Sequence, residues 1–171
     1  NTSQKNRIAT ERIFHLVLCL FLLFLDQITK VWARKTLKTG GKITVLPGLF
    51  SFDYLENDGA VWGIFGGKTI FLLVFTLLIL GCVVWFYFKV PMKKRYLPVR
   101  WILVFVCAGA LGNIIDRFRF GCVTDFLKFE FINFPTFNVA DIYITVSVFV
   151  GIILSIFVYR EELNDDTGRN K

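Results

Sequence analysis

Four long apolar runs, each bounded by short polar islands, set the pattern of this chain: Ile13 to about Ala33, Thr69–Val90, Val99–Ile115 and Ala140–Tyr159. Each is close to the ~20 residues that a helix needs to cross a ~30 Å hydrocarbon core. Polar residues inside them are few. They are His15, Asp26, Gln27, Thr29 and Lys30 in the first, Lys89 and Arg100 at the edges of the second and third, and Asp141 near the start of the fourth. Between the first two runs, Lys42–Leu55 alternates β-branched and aromatic residues around the turn signal Pro47-Gly48, which predicts a small sheet. Phe126–Phe137 has similar strand character and is expected to join it. The pattern predicts one membrane domain over 1–171, an all-α membrane protein with four transmembrane helices. The segments 34–68 and 116–139 lie together on one side, where strands and polar helix ends form a cleft.

Composition supports this reading, with 55% hydrophobic residues and 20 phenylalanines in 171 positions. Lys5, Arg7 and Arg12 precede the first run as they would in a signal peptide. The run continues into Asp26–Lys30 without a small-residue cleavage site, so it is expected to be a retained helix. Lys and Arg set the orientation. The segments 1–12, 89–100 and 160–171 hold 3, 5 and 3 of them, whereas the longer 34–68 and 116–139 hold 5 and 3. Both termini are therefore expected in the cytoplasm. The formal charge of +7 forms no basic stripe with interleaved aromatics, so nucleic acid is not an expected partner, and juxtamembrane attraction to anionic lipid accounts for it. Cys19, Cys82, Cys107 and Cys122 have no metal-ligand spacing and His15 is the sole histidine, so no metal or other cofactor is expected.

The chemistry lies in the polar islands. Asp26 and Lys30 are spaced i, i+4 and share a helix face, as an ion pair or as a substrate contact. In Glu56-Asn-Asp-Gly-Ala-Val-Trp-Gly63, Gly59 and Gly63 permit close backbone approach and Asn57 offers a donor and an acceptor suited to a peptide backbone. A plain polar turn is the alternative. Gly109 and Gly112 allow helices to approach, and Asn113, Asp116 and Arg117 fall on one face, with an Asp116–Arg117 pair as a possible anchor. Asp125 taken alone is a loop aspartate, and Asp141 taken alone is a first-turn residue of a helix. Two carboxylates on the same membrane side, beside Asn113 and Asn138, point instead to a shared-proton pair that activates water.

Taken in order, Asp26-Gln-Ile-Thr-Lys30, Glu56–Gly63, Gly109-Ala-Leu-Gly-Asn-Ile-Ile-Asp-Arg117, Val123-Thr-Asp-Phe126 and Phe137-Asn-Val-Ala-Asp141 resemble the motif series of lipoprotein signal peptidase, or signal peptidase II, over about residues 13–159. Trp62 stands where the family often has Phe. The resemblance implies an inner-membrane aspartyl protease with a small extracytoplasmic β-cradle and its active site toward the periplasmic side. Such an enzyme removes the signal peptide of diacylglyceryl-prolipoprotein just before the lipidated cysteine and is inhibited by globomycin. It implies Asp125 and Asp141 as catalytic, Asn57, Gly59, Asn113, Arg117 and Asn138 as substrate-binding or dyad-supporting, and Asp26, Lys30 and Asp116 as structural. Membrane lipid is an expected partner and a monomer the expected state. A proton-coupled transporter is the rival class, since membrane aspartates also relay protons, but four spans without an internal repeat argue against it. A non-catalytic assembly factor would not need two aspartates facing one cleft.

Overall fold

Along the helices many large apolar side chains face outward while a set of charged ones is fully buried, the inverse of a water-soluble core. In the computed structural model, which describes residues 2–59 and 67–157, the largest fully buried side chains include Arg100, Lys30, Asn138, Asp26 and Asp116. Phe14, Phe21, Phe24, Ile70, Leu78 and Phe149 are among the large hydrophobic residues left exposed. Lipid can solvate those, whereas every inward polar group must find a partner within the protein.

The elements run α1 (Thr2–Gly40), β1 (Ile43–Leu46), β2 (Phe50–Asn57), α2 (Thr69–Lys89), α3 (Leu97–Phe120), β3 (Val123–Phe129) and α4 (Val139–Phe157), with a short 3₁₀ turn at Lys94–Tyr96. All four helices are long and apolar enough to cross a membrane, as the pattern predicts. Two exceed their apolar windows: α1 begins eleven residues before Ile13 and runs on past Ala33, and α3 reaches Phe120. The polar islands at Asp26–Lys30 and Asn113–Arg117 therefore lie on continuous helix. The end of the fourth apolar run and the tail lie outside the described residues, as do Trp62 and Gly63.

α3 is central and packs against α1, α2 and α4. An ideal Cβ on Gly109 would fall 2.6 Å from the Ala140 carbonyl oxygen, and one on Gly112 would collide with the Asp26 carboxylate. These glycines let three helices meet at one level.

The three strands form one antiparallel sheet in the order β1-β2-β3. Strand β3 starts earlier and stops sooner than the expected 126–137 segment. It begins at Val123, and Phe137 returns to it only as an isolated bridge to Leu127. Gly121 brings this about. Its φ of 74° closes α3 through a bond from its N–H to the Arg117 carbonyl, and the chain enters β3 two residues later. Ala33 and Leu37 of α1 pack against Phe126 and Leu127, so the sheet is seated on the same helix that carries Asp26 and Lys30.

Candidate active site

Alternation along β3 sorts its side chains. Val123, Asp125 and Phe129 line a cavity of about 460 Å³, while Thr124 turns to the α1–α3 side. Asp141 lines the same cavity from the first turn of α4, with Asn113 and Arg117 from α3 and Asn57 from the end of β2. The remaining wall is largely apolar, with Phe134, Phe137, Ile142 and Val146 among its residues.

Asn138 connects the two aspartates. It precedes α4, its Oδ1 accepts from the Asp141 N–H at 3.1 Å, and its own backbone N–H donates to Asp141 Oδ2 at 3.1 Å. This reciprocal cap holds the Asp141 carboxylate at a helix N-terminus, where the dipole favours negative charge. The Asn138 side-chain amide meanwhile donates to Asp125 Oδ1 at 2.7 Å and to Asn113 Oδ1 at 3.2 Å. Asn113 Nδ2 donates to Asp141 Oδ1 at 2.9 Å, and Asn57 Nδ2 donates to Asp125 Oδ2 at 2.9 Å. Each aspartate thus accepts at both oxygens, and one asparagine touches both. Burial first, and then the charge of Asp141, push the Asp125 carboxyl up to about 7.

Lys30 dictates which way the Asn113 amide points. An ammonium has only donors, and Lys30 Nζ lies 2.9 Å from Asn113 Oδ1, so the NH₂ must face Asp141. Lys30 also pairs with Asp26 at 3.0 Å and approaches Asp116 at 3.7 Å, all fully buried. The expected Asp26–Lys30 pair is present and does more than neutralise charge. Asp26 Oδ1 accepts from the Ala140 N–H at 3.0 Å, so a side chain of α1 caps α4 one residue before Asp141.

The sequence names these residues, and the structure brings all ten into one connected region. It corrects one pairing. Asp116 takes its cations from α1, with Arg34 at 3.4 Å, and not from Arg117. Neighbouring helix residues point about 100° apart, so Asp116 faces α1 while Arg117 turns to the cavity and donates to the Gly59 carbonyl at 3.2 Å. Gly59 N–H in turn donates to Asn57 Oδ1 at 3.0 Å, which aims the Asn57 amide at Asp125. Arg34 and Thr124 were not singled out by sequence. Asp116 Oδ2 accepts from the Thr124 N–H at 2.9 Å, and Arg34 Nη1 lies 2.5 Å from Thr124 Oγ1. Arg34 sits i, i+4 from Lys30 and continues its helix face, a signal available to sequence reading. No cluster suited to a metal ion occurs among the described residues.

A family model described as Signal peptidase (SPase) II matches residues 18–157. The chain belongs to the signal peptidase II family. A lipoprotein signal peptidase of Clostridium novyi (strain NT) is 41% identical over 148 residues, covering 85% of this chain and 97% of the relative. That of Lactococcus lactis subsp. lactis (strain IL1403) is 37% identical over 151 residues, covering 88% and 98%. A bacterial membrane enzyme solved by the in meso method at 2.3 Å resolution superposes with a TM-score of 0.74 at 33% identity, covering 92% of each chain. Membership of the signal peptidase II family makes this chain a protease, and its four apolar helices make it a multi-pass bacterial membrane protein.

Proposed function

We propose that the protein is an aspartyl endopeptidase that cuts the signal peptide from diacylglyceryl-modified prolipoproteins immediately before the lipidated cysteine, with Asp125 and Asp141 as the catalytic dyad. The observation that carries this reading is the single asparagine, Asn138, bonded to both carboxylates at the polar end of an otherwise apolar cavity. The curated relatives named lipoprotein signal peptidase support the substrate class.

In the proposed mechanism Asp141 is ionised and Asp125 carries the shared proton, consistent with the raised Asp125 carboxyl and the helix-terminal seat of Asp141. Asp141 takes a proton from water as its oxygen attacks the scissile carbonyl, which Asp125 polarises by hydrogen bonding. The C–N bond then breaks as a proton passes to the leaving amine, and the dyad returns to its starting state. The two roles describe where the one shared proton rests. Asn57 and Asn113 hold the carboxylates, and Arg117 beside Gly59 binds substrate backbone at the cavity wall.

The apolar wall beside the dyad receives the acyl chains. At about 0.8 kcal/mol per buried CH₂ they supply much of the binding energy, so lipidation is a requirement. Membrane lipid surrounds the protein, which works as a monomer and is inhibited by globomycin. Both termini face the cytoplasm, supported by the basic loop Lys89–Arg100, and the site opens on the outer side of the cytoplasmic membrane.

Cleavage of a lipidated prolipoprotein by the purified enzyme, compared with the same peptide lacking lipid, tests the reading. Turnover of the lipidated form alone is expected. Equal rates on both would remove the role of the apolar wall, and no cleavage of either would remove the function. External thiol labelling of a cysteine placed at Lys93 would overturn the topology.

A further inference from the structure

At the end of α1 away from the sheet lies a second cavity, of about 400 Å³, with Arg7, Glu11, Phe14, His15, Lys94 and Trp101 in its lining. Arg100 also borders it and is fully buried, but its charge is engaged. It donates to Glu11 through Nε at 2.9 Å and through Nη2, and to the carbonyls of Pro91 and Lys93 at 2.6 and 3.2 Å. Glu11 is thereby neutralised, and Arg7 and Lys94 have no carboxylate partner among the described residues. A third cavity, of about 360 Å³, runs between α1, α2 and α3 along Leu16, Val84, Phe88 and Val104. It is almost entirely apolar, with Arg12 at its edge stacked over the Phe88 ring at 5.2 Å. His15 lines both cavities. Its side chain is 2% exposed and its Nδ1 meets the Tyr87 hydroxyl at 2.8 Å, yet its buried Nε2 has no hydrogen-bond partner.

We propose that this end of the molecule binds one anionic glycerophospholipid, with its phosphodiester between Arg7 and Lys94 and an acyl chain in the groove beside His15. Two cations without a carboxylate partner among the described residues, beside an apolar groove between membrane helices, match a negatively charged head carried on hydrocarbon. A zwitterionic lipid offers the same chains without the net charge, so the pair selects for the anion. Arg7 stands on α1 and Lys94 in the turn between α2 and α3, so the bound lipid ties α1 to the α2–α3 connection.

The general attraction of a basic membrane face for anionic lipid would not distinguish these two side chains from other basic residues at this end, such as Lys5 and Lys89. That difference is the test. Native mass spectrometry of the full-length protein, taken from phosphatidylcholine doped with phosphatidylglycerol, is expected to retain one phosphatidylglycerol per chain. Arg7→Gln with Lys94→Gln lowers that preference about thirtyfold, and each single variant about fivefold. Lys5→Gln with Lys89→Gln leaves it in place. Thermal unfolding in phosphatidylcholine alone is expected to match the parent for both double variants, which separates lost lipid from lost fold. Glycerol phosphate in solution should not compete. The proposal is overturned if the parent shows no preference for the anionic lipid, if the Lys5/Lys89 variant loses it equally, or if glycerol phosphate displaces it.

Discussion

Two sets of ion pairs in this molecule use the same chemistry at similar distances and have opposite importance. Around the sheet, Lys38–Glu56 at 2.5 Å, Lys42–Glu130 at 2.7 Å and Lys128–Asp53 at 2.7 Å are partly or largely exposed. At the α1–α3 junction, Asp26, Lys30 and Asp116 are fully buried, with pair distances of 3.0 and 3.7 Å, and Arg34 joins at 3.4 Å. The shorter contacts are the weaker ones. An exposed pair contributes about 0–1 kcal/mol because water solvates both partners when it breaks. Removing one member of a buried set strands a charge at about 3–5 kcal/mol. The buried set also orients Asn113 and caps α4, so its loss reaches the two aspartates.

The largest effect is expected at the aspartates themselves. Asp125→Asn and Asp141→Asn should each lower cleavage of a lipidated prolipoprotein about a thousandfold or more, while the protein still extracts folded. Near-normal turnover in either variant would break the dyad assignment. Next come the buried supports. Lys30→Met leaves Asp26 and Asp116 without their shared ammonium and frees the Asn113 amide to rotate, so thermal stability and turnover should fall together. Asp26→Ala should do the same by uncapping α4. Loss of turnover with unchanged thermal stability in Asp26→Ala would place Asp26 in the chemistry. Asn113→Ala removes one charge-assisted bond to Asp141, and its cost of about 1.5–3 kcal/mol corresponds to about ten- to hundredfold in rate.

pH separates a buried carboxylate from an exposed one by sign. Asp125 keeps its proton up to about 7 in the folded protein, above the ordinary carboxylate range. Over that interval the folded state binds more protons than the unfolded one, so this group lowers stability as pH rises and the full penalty holds above about 7. Asp125→Asn should therefore unfold at a higher temperature than its parent in mild alkali, with the gap closing in acid. Cleavage by the parent should decline as pH rises through about 7, because the shared proton is lost. Glu56 behaves oppositely. Its hydrogen bond from Lys38 lowers its carboxyl, so its contribution is present above the ordinary Glu range and lost in acid. An identical stability gap for Asp125→Asn at both pH extremes would remove the buried-proton account. The smallest effect belongs to the sheet surface, where Lys128→Met should change stability by less than about 1 kcal/mol, further diminished by salt.

Much of this site was legible before any fold was known, because carboxylates and amides at the edges of membrane-length apolar runs need a reason to be there. The sequence by itself determined the four helices, the polar islands, the glycines that let helices meet and the position of Asp125 and Asp141 at the edges of apolar runs. Local rules suffice for these, since hydropathy sets span length and i, i+4 spacing sets helix faces. The Asp26–Lys30 pair lies within one helix and was readable for that reason. The partners of Asp116 were not, because adjacency in sequence is not adjacency on a helix, and its cations come from residues more than eighty positions away. Only the tertiary structure decided that Asn138 spans both aspartates, that Lys30 turns the Asn113 amide and that Asp26 caps a helix 114 residues away in sequence. Hydrogen-bond direction depends on which donor arrives from elsewhere in the chain. Membrane burial makes that arrival obligatory without recording in the sequence which donor it will be.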